Sequence, residues 1–192
     1  MLRSEQLAAR AEGLCLERRI AFAAAACDRA RNVFALWHGA TPVATFDDAL
    51  ASLWDDLERR DTAAISGIFR PLMNVPEANC NDTLSRDWMA WLALAVFEFA
   101  SAFPGARRPL ETLAQCSAFC LSMMAELDLR RGWEGAPRGG PFATAEWIAQ
   151  EKCLAILGLD PGNPSIPVSD LVAAGDELRT LMAGAAGWVS PR

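Results

Sequence analysis

Apolar residues recur at three- and four-residue steps along nearly the whole chain, with polar positions between them, and this spacing predicts helices rather than strands. Ser4 is placed to cap a short first helix that runs to about Glu12 before Gly13. The next stripe is Ile20, Phe22, Ala23, Ala26, Cys27, Ala30, Val33, Phe34 and Trp37, which predicts a helix from near Leu16 to Trp37 with one buried face. His38-Gly39 ends it, and Pro42 lies beyond. Thr45 then reads as the cap of a third helix, with Asp48 in the capping-box position. Its apolar stripe is Leu50, Leu53, Trp54 and Leu57, with Asp47, Asp48, Asp55, Asp56 and Glu58 mostly on the other side and Arg59-Arg60 closing the end.

The second half of the chain continues in the same way. Thr62 to Asn74, with Gly67 and Pro71, predicts a short helix and a turn, and Val75 to Asp82 a loop. Thr83 to Phe103 is apolar nearly all round, as a helix at the centre of a bundle should be. Pro109 opens the next helix, which runs to about Arg131 through Leu113, Cys116, Phe119, Cys120, Met123 and Leu127. A glycine- and proline-rich connection, 132–141, leads to a helix capped by Thr144 and ending near Leu157. After an extended Gly158 to Pro167 loop, Ser169 caps a final helix to about Met182, and the tail after Gly184 is small and frayed. The expectation is an all-α, single-domain bundle of about seven to eight helices. Residues 1–158 form the bundle, and 159–192 supply a proline-rich loop, a C-terminal helix and a tail packed on the same domain.

Composition sharpens this picture. At 192 residues the chain can bury roughly 70% of its unfolded surface, so its core needs no metal or disulfide. The six cysteines (15, 27, 80, 116, 120, 153) lie mostly in apolar helical runs, where thiols act as small buried hydrophobes in a reducing cytoplasm. Arg18-Arg19 before an alanine-rich run ending at Cys27 echoes an export signal, but the run is too short for one. No segment approaches the ~20 apolar residues of a membrane span. A net charge of −6 with scattered arginine pairs excludes a general nucleic-acid binder and suits capture of a basic protein.

The order of the motifs carries a resemblance. Ala21-Phe22, Ala24, Cys27-Asp28-Arg29 and Asn32 are followed by Leu50, Leu53-Trp54-Asp55 and Leu57. Leu92-Ala93-Leu94, then Glu111 to Leu127, then Glu146-Trp147 with Glu151 and Leu154 to Leu157 follow in sequence. This arrangement, over residues 14–158, resembles the YjaG-like family of bacterial helical domains of unknown function. The chain departs from that pattern at Arg31-Asn32-Val33, where a Pro-Asn-aromatic step is common, and after Leu159. The resemblance implies an all-helical cytoplasmic domain and no established catalytic residues.

Residue chemistry points to binding more than to catalysis. Cys116 and Cys120 share a helix face and, with Cys27 or Cys153 and His38, carry the ligand types of a zinc site. They lack the short ligand loops of such sites, so neither a metal nor a cofactor is expected. His38 is the single histidine, which leaves little room for a Ser–His–Asp or Cys–His device. Gly132 to Gly140 lacks the preceding strand and the lysine of a phosphate loop. Asp28-Arg29 sits at the edge of an apolar run, where Arg29 is expected to pair with Asp55 or Asp56 and fix the bundle's register, or else to line a groove.

Trp133 and Trp188 lie in a loop and the tail, as interface anchors do. The expected function is therefore a non-catalytic cytoplasmic binding protein. Its sharpest form is an immunity or antitoxin-like protein that covers a basic toxin domain, using Asp28, Arg29, Asp47, Asp48, Asp55, Asp56, Trp133 and Trp188. A homodimer through the tryptophans is compatible with that. The competing expectation is a small-molecule or metal-dependent enzyme built on Asp28, Arg29, Glu98 and the cysteines.

Overall fold

Ile20 to Cys27 is an unbroken run of eight apolar residues, five of them alanine, and every one is buried. The run lies in α2 (Leu16–Trp37), so along it the helix is surrounded on all sides rather than along the single stripe expected. Alanine makes this geometry feasible, because neighbouring helices can approach its short side chains from every direction. The computed structural model describes residues 3–37, 40–74, 87–132, 139–159 and 165–185.

Around α2 the described residues form α1 (Arg3–Arg10), α3 (Ala40–Arg59), the single turn α4 (Thr62–Ile65), α5 (Asp87–Ala102), α6 (Pro109–Arg130), α7 (Pro141–Gly158), α8 (Val168–Ala173) and α9 (Asp176–Ala185). There is no strand among them, and the architecture is the all-α bundle the periodicity predicts. None of the described helices is long and apolar enough to cross a membrane.

α2 and α5 form the central pair, and α3, α6, α7, α8 and α9 each pack against α2. α5 is apolar nearly all round because it sits between α2 and α6. An aromatic layer ties α2, α3 and α5 together. Phe34 and Phe46 have ring centroids 5.2 Å apart, and Phe46 meets Phe97 edge-on at 5.3 Å. On the other side of α5, Phe119 of α6 lies 5.2 Å from Phe99 and 5.8 Å from Trp91. Fully buried side chains of this size contribute roughly 1.5–3 kcal/mol each through the area they remove from water.

Several helix starts differ from the periodicity's expectation, and Ser4 lies within α1 rather than ahead of it. α3 begins at Ala40, so Thr45 lies inside it and donates to the Thr41 carbonyl instead of capping. Pro42 falls in that first turn, where a missing N–H costs nothing. The last helix divides into α8 and α9 around Ala174–Gly175, and Ser169 sits within α8 rather than ahead of it.

α7 begins at Pro141, not after Thr144, and its cap comes from a distant residue. The carboxylate of Asp128, near the end of α6, accepts the backbone N–H groups of Phe142 (3.1 Å) and Ala143 (2.9 Å). These are two of the four donors that a helix start leaves unpaired, and Asp128 is itself buried. Gly140 is glycine for the same reason: a Cβ there would run into the Asp128 carboxyl group. One side chain near the end of α6 thus caps the start of α7. At the far end of α7 the buried Arg18 donates to the Leu157 carbonyl, a cation at the negative end of the helix dipole.

Asp128→Ala leaves two buried N–H groups without partners, and we expect it to lower stability by about 1–3 kcal/mol. Urea unfolding followed by far-UV circular dichroism checks this. The midpoint should fall while the slope with denaturant stays unchanged.

Candidate functional site

Four buried polar residues, Arg29, Ser117, Glu146 and Gln150, converge on one place. Arg29 of α2 is 1% exposed and Glu146 of α7 is fully buried, and they form a two-pronged ion pair. Arg29 Nε donates to Glu146 Oε2 at 2.7 Å and Nη2 donates to Oε1 at 3.0 Å. Arg29 Nη1 donates to the Ala25 carbonyl at 2.9 Å. Gln150, one turn along α7 from Glu146, donates to Glu146 Oε1 at 2.6 Å. Its own carbonyl oxygen accepts the Ser117 hydroxyl of α6 at 2.5 Å. The chain of bonds therefore links α2, α7 and α6 through the middle of the bundle.

Four thiols surround this network. Cys153 lies 3.7 Å from Arg29 Nη1 and donates to the Leu171 carbonyl at 3.8 Å. Cys120 donates to the Ala26 carbonyl at 3.8 Å and Cys116 to the Val96 carbonyl at 3.9 Å. Burial raises the pKa of Cys27, Cys120 and Cys153 above the usual thiol range and pushes Cys116 up to about 12. Nucleophiles and metal ligands need the thiolate, and this environment opposes it. Among the described residues no three His, Cys, Asp or Glu side chains converge as a metal ion would require. The five described cysteines are all unpaired thiols, of which Cys15 alone is exposed.

Burial by itself would lower the pKa of Arg29, but the Glu146 carboxylate more than reverses this and holds the guanidinium charged. Arg29 is thus a fixed positive charge in the core. Its expected partners in the sequence, Asp55 and Asp56, are elsewhere. Both lie on the solvent side of α3, where Asp55 is exposed and 3.8 Å from Arg59, and Asp56 is half-buried. The α2–α3 contact is pinned by another pair, Arg31 with Asp47, whose two hydrogen bonds are both 2.7 Å.

Asp28 accepts Arg179 Nη1 of α9 at 2.8 Å. Burial raises the Asp28 pKa despite the pull of Arg179, Arg29 and Arg31. Because folding raises this pKa, the stability it contributes is complete below the carboxyl's ordinary value of 3.8 and is lost as pH rises through the folded value.

The remaining expected residues separate. Asp48 and Asp55, seven positions apart, share the exposed strip of α3 with Ser52, while Asp47 and Asp56 fall on opposite flanks of the helix. Glu98 is exposed on α5, so it does not join Asp28, Arg29 and the buried thiols in one constellation. Trp133, Trp188 and His38 lie outside the described residues.

Beside the exposed strip of α3 is a groove of about 270 Å³ lined by Thr45, Asp48, Ala49, Ser52, Gly67, Ile68 and Pro71. It combines one carboxylate and two hydroxyls with apolar walls.

Glu146, Gln150, Ser117 and Arg179 were not singled out for these roles by sequence reasoning. The available signal was Glu146 and Gln150 themselves, two polar residues one turn apart in a helix that is otherwise largely apolar. Comparison of the chain with protein-family models, curated proteins and solved structures finds no match.

Two predictions follow from the buried network. Arg29→Met leaves Glu146 charged and unpaired in the core and should cost about 3–5 kcal/mol, whereas Arg29→Met combined with Glu146→Leu should recover most of that loss. A double-mutant cycle by chemical denaturation measures the coupling. Separately, the raised thiols make folding pH-dependent. Their contribution is complete below the unfolded thiol pKa near 9 and is lost as pH rises towards about 12, because the unfolded chain ionises thiols that the folded chain keeps protonated. With no tyrosine and Lys152 as the one lysine, few other groups titrate in that window. Unfolding free energy measured between pH 9 and 12 should therefore fall, and Cys116→Ala should reduce the slope by about 1.4 kcal/mol per pH unit.

Proposed function

We propose that this protein is a non-catalytic binding protein of the cytoplasm that takes a basic protein segment on the outer face of α3. The observation that carries the reading is the groove beside Asp48. It places a carboxylate and the Thr45 and Ser52 hydroxyls against the apolar Ile68 and Pro71. A lysine or arginine side chain has this same division, with an apolar stem and a charged head. Asp55 extends the acidic strip one turn beyond Ser52, and the chain's net charge of −6 steers a cationic partner towards it.

The interior supports the same reading. Arg29, Glu146, Gln150 and Ser117 use their hydrogen-bonding capacity on one another, and the thiols around them are kept protonated. Unpaired cysteines, four of them in the core, suit a reducing compartment. An immunity or antitoxin-like protein that covers a basic toxin domain is the sharpest form of this proposal. The likeness to the YjaG-like family is proposed with it. In its support, the Cys27-Asp28-Arg29 motif and the Glu146-Trp147 motif, 117 positions apart, meet at one ion pair.

The test is purification of the tagged full chain from its native host, followed by binding measurements with the captured basic protein. We expect Asp48→Lys and Asp55→Lys each to weaken binding about tenfold, with the affinity falling as salt is raised. Glu98→Lys, exposed on α5 away from this groove, should change it far less. Binding that is indifferent to charge reversal at Asp48 and Asp55, or a protein that purifies alone or only as a homodimer, would overturn the proposal.

A further inference from the structure

The polar core is closed on one side by the last two helices. α8 and α9 have 6 and 10 residues, too short to be stable helices in water, so their order depends on how they are seated. The seat is an apolar face of Leu171, Ala174, Leu178 and Met182 on α2 and α7. Against the stem of Arg29 lies Gly175, at the turn between the two helices. A Cβ added there would come within 3.0 Å of Arg29 Cγ and 3.1 Å of Cδ, so only glycine lets the turn rest on the arginine stem without displacing it.

Polar contacts between this unit and the core are concentrated on one side chain. Arg179 reaches from α9 to Asp28 on α2 at 2.8 Å, and ties its own unit together through the Val172 carbonyl at 2.6 Å and Asp176 at 2.5 Å. The Arg179–Asp28 bond is only partly screened from water, the two side chains being 30% and 21% exposed. Beneath the unit, the Cys153 thiol donates to the Leu171 carbonyl of α8, so α8 must move before Cys153 can meet solvent.

We propose that α8–α9 is a latch over the Arg29–Glu146 pair, fastened by Arg179 to Asp28, which opens as a unit and uncovers Cys153 and the Arg29 stem while the α2–α5–α6 core remains folded. Such opening is the local unfolding expected of a small two-helix unit whose polar fastening is partly exposed. It turns a sealed ion pair into an accessible face bearing a guanidinium edge and a thiol. The thiols of Cys27, Cys116 and Cys120 report on the rest of the core, since Cys116 and Cys120 bond to carbonyls of α5 and α2 rather than to the latch.

The experiment is N-ethylmaleimide labelling of the native full chain, resolved thiol by thiol by peptide mass spectrometry. We expect Cys153 to react faster than Cys27, Cys116 and Cys120. Arg179→Met should raise the Cys153 rate by about tenfold and leave the other three unchanged. Asp28→Asn, which keeps the shape and removes the charge, tests the same bond with less risk to folding and should move the Cys153 rate in the same direction. A common rate for all four buried thiols in the wild-type protein, or a Cys153 rate that neither variant changes, would overturn the latch.

Discussion

A charged arginine in the middle of a helical bundle is tolerable only if its partner is delivered with the right geometry, and the rest of this structure is arranged around that requirement. Arg29 and Glu146 are both removed from water, so each depends on the other and on the Ala25 carbonyl and Gln150 amide for the hydrogen bonds that solvent would have supplied. That condition fixes the rotation of α2 and α7 about their axes, because a shift of one residue in either would point a charge into hydrocarbon. It also fixes α6, through the Ser117–Gln150 bond. Apolar packing by itself tolerates small slips between helices. A buried two-pronged pair does not.

The alanines and thiols of the core are consequences of the same arrangement. A helix that is approached from all sides must carry small side chains, and Ala21 and Ala23 to Ala26 provide them just ahead of Arg29. Cysteine at 27, 116, 120 and 153 fills the spaces around the pair with groups slightly larger than alanine that can still donate weakly to backbone carbonyls. Their raised pKa values follow from burial first, and this keeps the surroundings of the ion pair electrically neutral. α7 is held in place from both ends by side chains of other helices, Asp128 at its start and Arg18 at its finish.

The surface has a different logic. On α3 the aspartates stand at several angles around the helix, so they do different work. Asp47 is spent on Arg31 and the α2–α3 contact. Asp48 and Asp55 face solvent on one strip beside an apolar-walled groove. The described charges in the core are hydrogen-bonded and enclosed, whereas charge on this face is open to a partner. The proposed binding role rests on that contrast, and the proposed latch rests on the partly exposed Arg179–Asp28 pair.

The helical content, the approximate spans of α2, α5 and α6, and the burial of Cys27, Cys116, Cys120 and Cys153 were legible in the sequence, because each is a local property of apolar spacing and composition. Helix starts were less legible. Thr45, Thr144 and Ser169 all have the side chain of a cap, yet α7 takes its cap from Asp128, and no local pattern announces an acceptor 14 residues away. The partner of Arg29 was beyond local reading for a stronger reason. Asp55, Asp56 and Glu146 are equivalent by charge, and the choice among them depends on which helix the bundle brings alongside α2 at that height. The sequence by itself determined that Arg29 would need a carboxylate, since a guanidinium beside an eight-residue apolar run cannot be left unpaired. Only the tertiary structure decided that Glu146 supplies it, because pairing across 117 positions is set by how whole helices pack and not by the residues on either side.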